Sequence, residues 1–145
     1  MKHVQLSRDA QLLNRVVNDP SVFDDVSFGL PGPLDCTPLL TDGNYFFANE
    51  HGGFLLVAQG AGIYEAHTQF LPDGRGRKAL LATKEVQEFM FTQTDCVEIR
   101  TDCPHGNEKA AVMAQWAGMR RVCIKELMGV PCDVYAITKE DWLCR

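Results

Sequence analysis

A short basic turn in the middle of the chain carries the strongest chemical signal of the sequence. The residues Pro72–Gly74 interrupt an alternating apolar and polar run that begins at Ile63, and Arg75-Gly76-Arg77-Lys78 follows them directly. A helical repeat of apolar residues then starts at Ala79. Amides in the first turn of a helix lack intrahelical acceptors and attract anions, and Arg adds forked donors. The turn therefore predicts a ligand that carries a phosphate or a diphosphate.

A second interpretation of the basic turn is an ordinary solvated surface, which is as common for such a run of cations as an anion site. The sequence does not contain the G-x-x-x-x-G-K-[ST] pattern of P-loop proteins. Gly74 and Gly76 also lack the third glycine of G-x-G-x-x-G, because Ala79 occupies that position. Both common nucleotide-binding folds are therefore disfavoured.

The elements that must position this turn follow from periodicity and from turn residues. The predicted strands span residues 4–6, 44–48, 53–59, 63–71, 96–101, 119–127 and 133–138, and helices are predicted to begin at Ser7, Ser21, Ala79 and Asn107. Residues 29–43 are rich in proline and glycine and predict a long loop, which is either functional or a tolerated surface excursion.

The spacing of these elements predicts a mixed sheet. Turn residues at 49–52 and 60–62 join neighbouring strands, so the first half of the sheet is predicted to be an antiparallel meander. The strand, helix and strand between residues 63 and 101 predict a right-handed parallel crossover. The fold class is therefore α+β (mixed α/β), with a mostly antiparallel central sheet flanked by helices in one domain of residues 1–145.

Composition narrows the classes of function. The chain has 145 residues, 46% of them hydrophobic, and a net charge of -5, which favours a globular domain and argues against a general nucleic-acid binder. Neither a secretory leader nor an apolar run long enough to span a membrane is apparent. The six cysteines include no C-x-x-C pair and no zinc spacing, which predicts reduced thiols in the cytoplasm and no metal site.

Two windows of the sequence resemble the GCN5-related N-acetyltransferase (GNAT) superfamily. The run from Pro72 to Ala79 is similar to the family's P-x-x-R-G-x segment, and the run from Asn107 to Met119 is similar to its N-x-x-A…G-F segment. The chain departs from the family pattern at three positions. Lys78 and Leu80 replace small residues of the glycine loop, and Ala114 replaces a tyrosine that usually protonates the departing thiolate.

The resemblance implies a pair of splayed central strands that receive acetyl-CoA. Backbone groups of Phe70 and Leu71 would contact the pantetheine arm, and Asn107 would contact it from the start of the last predicted helix. The diphosphate would lie on the basic turn, against Arg75, Gly76, Arg77, Lys78 and Ala79.

Catalysis in such an enzyme requires a base for the acceptor amine. Glu65, His67 and Gln69 share one face of the predicted strand because side chains alternate along it. If that face borders the cleft, His67 or Glu65 is the base, and His67 is preferred because an unperturbed imidazole titrates near pH 6.5. The alternative is that this face simply packs against a helix or solvent. Tyr64 and Tyr135 are either donors to the thiolate or core residues.

The resemblance implies an acetyl-CoA-dependent N-acetyltransferase acting on a primary amine of a small molecule or a protein. The alternative is a module that keeps the fold and binds CoA or a protein partner without efficient catalysis. No nucleic acid or membrane partner is expected, and a strand near the C-terminus suggests a homodimer.

Overall fold

A seven-stranded mixed sheet runs through the structure, a computed structural model that describes all residues from Met1 to Arg145. Its strands are β1 (Gln5–Leu6), β2 (Tyr45–Asn49), β3 (Gly52–Gly60), β4 (Ile63–Phe70), β5 (Glu98–Pro104), β6 (Arg120–Leu127) and β7 (Val130–Thr138). The helices are α1 (Ala10–Val17), α2 (Phe23–Ser27), α3 (Arg77–Gln93), α4 (Glu108–Trp116) and α5 (Lys139–Leu143), with short 3₁₀ turns at Thr37–Leu39 and Pro72–Gly74. None of the five α-helices has the length and apolar composition needed to span a bilayer.

The topology confirms the predicted fold class. The spatial order is β1-β2-β3-β4-β5-β7-β6, and every neighbouring pair is antiparallel except β4 with β5. The parallel pair arises because α3 carries the chain back along the sheet before β5 begins, as the strand–helix–strand spacing predicts. The sheet is therefore mixed and mostly antiparallel.

The two central strands separate halfway along their length. β4 and β5 are in register only from Ile63 and Glu98 to Glu65 and Arg100. Beyond this point β4 continues to Phe70 against β3, and β5 continues to Pro104 against β7. An open wedge therefore lies between the C-terminal halves of β4 and β5, as expected for splayed central strands.

The sheet is covered on both faces. The larger core lies on the side of α3 and α4, which we call the α3 face, and includes Tyr64, Phe70, Ala82, Val86, Met90, Ile99, Ala114 and Tyr135. The smaller core lies on the opposite side, which we call the α1 face, and includes Leu13, Val17, Phe46, Ala48 and Leu55, with Leu34 and Leu40 of the long loop packed against it. Both faces of β4 therefore meet protein, and its open side is the edge at the wedge.

Local details differ from the sequence predictions at three helix ends. Asp9, not Ser7, caps α1, because its carboxylate accepts the Leu12 amide at 3.0 Å. α3 begins at Arg77, two residues before the first apolar residue of its repeat. α5 was not predicted, although the Thr138 hydroxyl caps it by accepting the Asp141 amide at 3.1 Å, and Trp142 is buried beside Phe91. A five-residue helix is too short to show an apolar period.

The N-terminal segment is tied to α3 by Glu85. Its carboxylate accepts the His3 ring nitrogen at 2.7 Å and the amides of His3 and Lys2. Burial alone would raise the pKa of Glu85, but these hydrogen bonds outweigh it and the net pKa is lowered. A lowered folded-state pKa contributes stability that is present above the unfolded pKa and is lost as pH falls through the folded pKa.

We therefore expect Glu85→Gln to lower the free energy of unfolding by about 1–2 kcal/mol at neutral pH. The difference from wild type should shrink as pH falls from the unfolded Glu pKa of about 4.3 through the lower folded pKa of Glu85, because the folded carboxylate then becomes protonated too. Urea unfolding at pH 7 and at acidic pH measures both values. Glu88→Gln is the matched control, since Glu88 lies on the exposed side of the same helix. An equal loss of unfolding free energy at both pH values would show that the ionised carboxylate of Glu85 is not what stabilises the fold.

Candidate functional site

The edge of β4 presents main-chain groups to the wedge. The Leu71 amide donates to the His51 carbonyl at 2.8 Å, so the main-chain groups of Leu71 point towards β3. Along a strand, the N–H and C=O groups of successive residues point to opposite neighbouring strands. The main-chain groups of Ala66, Thr68 and Phe70 therefore point towards β5. The Thr101 hydroxyl crosses the opening and donates to the Ala66 carbonyl at 3.1 Å. Beyond that contact, Thr68 and the Phe70 amide face the open part of the wedge.

The main-chain groups of Leu71 are engaged within the protein. Besides the amide, its carbonyl accepts the Gly74 amide at 2.9 Å. The Phe70 carbonyl accepts Nε of Arg75 at 3.0 Å, so only the Phe70 amide stays available at that residue. The sequence predicts the contact at Phe70 and Leu71. In the structure these two neighbours point to opposite edges of the strand, and Thr68 shares the wedge edge with Phe70.

The turn between β4 and α3 uses two glycines for different reasons. A Cβ on Gly74 would lie 2.5 Å from Cβ of His51 and 2.9 Å from the Phe70 ring. Only glycine therefore fits at this closely packed position. Gly76 has φ +81° and ψ -139°, a conformation essentially restricted to glycine. A Cβ on Gly76 would meet no atom within 4 Å, so that position faces open space.

The first turn of α3 has no side-chain cap. Its first intrahelical bond runs from the Leu80 amide to the Gly76 carbonyl at 3.1 Å, so the amides of residues 77–79 have no acceptor in the helix. Residues 75–78 are exposed, and the side chain of Ala79 packs in the larger core. A bare helix N-terminus therefore points outward at the position where the sequence predicts an anion site.

Of the three cationic residues of the turn, one is hydrogen-bonded to protein carbonyls and two make no ion pair within the chain. Arg75 donates Nη2 to the Ser21 carbonyl at 2.7 Å in addition to its bond with Phe70, so it ties the turn to the segment before α2. Arg77 and Lys78 are exposed, and the salt bridges of the protein involve other residues. Positive charge is therefore available from the first turn of α3.

A second helix begins at the same end of the sheet. Because β4 and β5 are parallel, their C-terminal ends lie together, and α4 starts directly after β5 as α3 starts after β4. Asn107 caps α4, and its side-chain oxygen accepts the Ala110 amide at 3.2 Å. Its side-chain amide nitrogen makes no hydrogen bond within the chain, so a donor stays free beside the wedge.

Glu65, His67 and Gln69 lie together on the α1 face, as the alternation predicts. Their partners on β3 are Val57, Leu55 and Gly53, and Leu55 belongs to the smaller core. The His67 ring nitrogen Nε2 lies 3.3 Å from Oε1 of Glu65, and the His67 side chain is 46% exposed. Gln69 is 3% exposed, and its side-chain nitrogen has no acceptor.

An ion pair on the same face, between a shielded carboxylate and an exposed lysine, was not predicted. Asp102 follows Arg100 by two residues on β5, so it shares the α1 face with Glu65 and lies just past the last pair of β4 with β5. The Lys125 ammonium reaches it from β6 at 2.8 Å. The hydrogen bond to Asp102 raises the pKa of Lys125 despite partial burial, so the ammonium stays charged. Alternation on β5 is the signal that would have found Asp102.

The two tyrosines differ in what their hydroxyls contact. Both are buried, as the core interpretation predicts. The Tyr64 hydroxyl donates to Asp95 at 2.6 Å, and burial together with that carboxylate raises its pKa. The Tyr135 hydroxyl accepts the Gln115 side-chain amide at 3.3 Å, next to the position of Ala114 on α4. Tyr135 therefore keeps its own proton free to donate, whereas the proton of Tyr64 is held by Asp95.

The buried cysteine nearest the end of β5 is not an activated nucleophile. Burial, followed by the neighbouring Asp102 carboxylate, raises the pKa of Cys103 to about 11. A thiol with that pKa is protonated near neutral pH, and the thiolate is the reactive form. All six cysteines are free.

Comparison with known proteins gives a match in structure and none in sequence. No protein-family model matches the chain, and no curated protein matches it significantly in sequence. The structure of spermidine N-acetyltransferase from Vibrio cholerae in complex with CoA and spermine is similar, with a TM-score of 0.78, 14% identity and coverage of 99% of each chain. A GNAT-family acetyltransferase from Bacillus anthracis has a TM-score of 0.71 and 16% identity, covering 94% of this chain and 95% of that one.

An aminoglycoside acetyltransferase has a similar architecture. Aminoglycoside acetyltransferase AAC(6')-Ib in complex with coenzyme A and kanamycin has a TM-score of 0.70 and 15% identity, covering 97% of this chain and 96% of that one. Near-complete coverage in both directions shows that the similarity extends over the whole sheet and its helices. The chain therefore has the fold of the GCN5-related N-acetyltransferases.

Proposed function

We propose that this protein is an acetyl-CoA-dependent N-acetyltransferase acting on a primary amine, with residues 1–145 as one catalytic domain. The observation that carries the proposal is the open wedge between β4 and β5, with a bare helix N-terminus at its mouth. An extended thioester arm needs an unpaired strand edge, and a diphosphate needs clustered amide donors. The structures of similar fold bind CoA together with amines, which supports the same pair of substrates here.

The residues at the wedge fit acetyl-CoA in a single orientation. The amides of residues 76–79 would hold the diphosphate, with Arg77 and Lys78 adding positive charge. The pantetheine arm would pair with the edge of β4 at Thr68 and Phe70. Asn107 would donate its free side-chain amide to that arm from the other side of the wedge. Arg75 supports the turn, because two of its donors already hold protein carbonyls.

The acceptor amine would approach from the α1 face, where His67 and Glu65 lie. An ammonium must lose a proton before its nitrogen can attack the thioester carbonyl. We propose that Nδ1 of His67 takes this proton, while Glu65 holds Nε2 and stabilises the imidazolium that forms. The bond that forms joins the amine nitrogen to the acetyl carbon, and the bond that breaks releases CoA as a thiolate.

Tyr135 is the proposed donor to that thiolate. The Gln115 amide orients its hydroxyl, and the neighbouring Ala114 stands where related acetyltransferases carry a tyrosine of this role. Tyr64 is unsuitable, because Asp95 accepts its proton and its pKa is raised.

We expect Tyr135→Phe to lower kcat by about 10²-fold, within the usual range for losing a positioned acid. Acetyl-CoA affinity should be unchanged, because the hydroxyl acts on the departing sulfur. Tyr64→Phe is the control: it removes a buried hydroxyl of the same kind and should lower stability without an effect on kcat at saturating substrate. Steady-state kinetics and thermal unfolding of both variants make the comparison. Equal kcat values for Tyr135→Phe and wild type would show that Tyr135 does not protonate the thiolate.

The acceptor would lie under the loop of residues 29–43, which packs against the α1 face through Leu34 and Leu40. A small polyamine, an aminoglycoside-like amine or a protein amine each presents the required primary amine. The proteins of similar fold are described with spermine and kanamycin, which favours a small polycationic acceptor. We further propose a cytoplasmic location, supported by six free cysteines, and association of two copies.

A binding module that retains CoA without efficient transfer is the second candidate. The observations in its favour are Ala114 in place of a tyrosine and Lys78 and Leu80 in place of small loop residues. An assay of thiol release from acetyl-CoA across a panel of polyamines, aminoglycosides and lysine peptides tests the enzyme. Amine-dependent release supports transferase activity, whereas CoA binding without release from any amine would favour the module.

A further inference from the structure

The Lys125 side chain places a primary ammonium on the α1 face, where the acceptor amine is proposed to approach. Its Nζ lies 2.8 Å from Oδ2 of Asp102, which it reaches from β6 across β7. Asp102 accepts no hydrogen bond from an amide or a hydroxyl group, and its side chain is only 7% exposed. A carboxylate removed from water needs a cationic partner, and the lysine supplies it here.

Asp102 lies at the narrow end of the wedge. Glu65 and Arg100 form the last pair of β4 with β5. His67 and Asp102 each come two residues later on their own strand, so they hold equivalent positions on the two sides of the opening. Both side chains are on the α1 face. An imidazole and a carboxylate therefore flank the start of the wedge on the same face.

The thioester of bound acetyl-CoA would lie at this narrow end. The diphosphate is proposed to lie at the start of α3, beyond the C-terminal end of β4, so the arm would run inwards past Phe70 and Thr68. Its acetyl group would stop near Ala66, where the Thr101 hydroxyl closes the wedge by donating to the Ala66 carbonyl at 3.1 Å. On this path the Lys125 ammonium lies on the side from which an amine would attack the carbonyl carbon.

The groups around Lys125 come from both sides of the wedge. The hydrogen bond with Asp102 is the main cause that raises the pKa of Lys125, and the Glu65 carboxylate on β4 raises it further. Oε1 of Glu65 also lies 3.3 Å from Nε2 of His67, the proposed base. The Lys125 ammonium is therefore surrounded by the two carboxylates and the imidazole that a free acceptor amine would meet.

From this arrangement we propose that Lys125 is a self-acetylation site, modified within the same chain when no free acceptor is bound. Self-acetylation rests on the acetyl transfer proposed for the wedge. The neutral amine nitrogen of Lys125 would attack the thioester carbonyl carbon, so that a C–N bond forms and the C–S bond breaks. The ammonium loses two protons in total: one passes to His67, and the other balances the proton that the departing thiolate takes up. The products are Nε-acetyl-lysine and CoA.

The ion pair makes Lys125 a poor target for uncatalysed acetylation. Only the neutral form of an amine attacks a thioester, and a raised pKa leaves less of that form at neutral pH. Lys84, exposed on α3, is the reference for a lysine outside any proposed site. Faster modification of Lys125 than of Lys84 would therefore require that the wedge positions its amine and that a base takes its proton.

Peptide mass spectrometry of the full chain, after incubation with acetyl-CoA and no added amine, tests this site. Lys125 should gain an acetyl group at least about tenfold faster than Lys84, because its amine is held beside the thioester. Acetyl phosphate, a donor without the CoA moiety, should reverse this order, because only intrinsic reactivity and exposure then decide the rates. The rate constant for Lys125 should be independent of protein concentration, as a reaction within one chain requires.

Asp102→Asn separates positioning from reactivity. Loss of the carboxylate should lower the pKa of Lys125 and favour uncatalysed acetylation, but it also releases the ammonium from the narrow end of the wedge. Acetylation of Lys125 by acetyl-CoA should therefore fall at least about tenfold. Asp141→Asn is the matched control, because it breaks the exposed ion pair of Asp141 with Arg120 of the same strand and should leave the rate unchanged. Thermal unfolding with and without acetyl-CoA shows whether both variants fold and bind the donor.

Two results would overturn self-acetylation. Modification of Lys125 no faster than that of Lys84 would show that the wedge does not act on this amine. A rate constant that rises with protein concentration would show that one chain acetylates another. Amine-dependent thiol release with Lys125 unmodified would exclude self-acetylation and leave the proposed function in place, whereas a melting temperature unchanged by acetyl-CoA would exclude both.

Discussion

Replacing His67 with alanine is expected to lower kcat/KM for acetyl transfer by about 10²–10⁴-fold, the range that a positioned general base contributes. The imidazole lies on the α1 face beside the wedge, half exposed and in contact with Glu65. Without it, the acceptor ammonium loses the side chain that is proposed to take its proton. Steady-state kinetics over a range of pH measure the loss.

Acetyl-CoA affinity should be unaffected by this substitution, because the proposed contacts of the cofactor lie along the main chain of β4. Glu65→Gln is the matched variant. It should lower kcat/KM about tenfold, because it removes the partner of the imidazolium and leaves the base in place. The acidic limb of the wild-type pH–rate profile should be absent in the alanine variant. If the alanine variant keeps the wild-type kcat/KM and pH–rate profile, His67 is not the base and only packs on the face of β4.

Replacing Gly76 with alanine is expected to raise the dissociation constant of acetyl-CoA by about 10–100-fold. Alanine at φ +81° and ψ -139° costs roughly 1–3 kcal/mol, and the turn can relieve this only by moving the amides of residues 76 and 77. The new methyl group would also project into the open space where the diphosphate is proposed to lie. Isothermal titration calorimetry compares the affinities.

Gly129→Ala provides the control for backbone strain. Gly129 has φ +80°, and a Cβ there would also meet nothing within 4 Å, but it lies in the turn between β6 and β7. Both variants place a Cβ at a positive φ and should lose stability, and only the variant at Gly76 should lose acetyl-CoA affinity. Equal affinities for the two variants would place the diphosphate elsewhere.

Much of the arrangement around β4 is predictable from local sequence. The alternating run ending at Phe70, the proline and glycines of the turn and the apolar repeat from Ala79 determine a strand, a turn and a helix in that order. These signals act between residues close in the chain, so periodicity and turn chemistry are sufficient. The exposed cationic turn and the shared face of Glu65, His67 and Gln69 follow from them.

Interactions between distant segments were not predictable in the same way. Asp102 and Lys125 meet across β7, and Arg75 bonds to Ser21 from a turn 54 residues later in the chain. The free edge of β4 depends on which carbonyls and amides face β5, and this is set by pairing with β3. Single-sequence patterns do not encode that parity, so the sequence does not show that Thr68, and not Leu71, shares the wedge edge with Phe70.

The departures from the family's glycine loop are compatible with the structure. Lys78 lies in the exposed first turn of α3, where its side chain extends away from the core, and Leu80 comes after the last of the free amides. Neither residue covers the amides of residues 76–79. The first turn of α3 therefore keeps its uncapped, outward-facing amides with Gly76 as the only one of the usual small residues.

Main-chain amides at the start of α3 are proposed to hold the diphosphate of acetyl-CoA. A titration of ¹⁵N-labelled protein followed by amide NMR shifts tests it most directly, with acetyl-pantetheine as the comparison ligand. Acetyl-CoA should move the resonances of residues 76–79 together with those of Thr68 and Phe70, and acetyl-pantetheine should move only the latter pair. Unchanged resonances at residues 76–79 on saturation with acetyl-CoA would contradict the assignment.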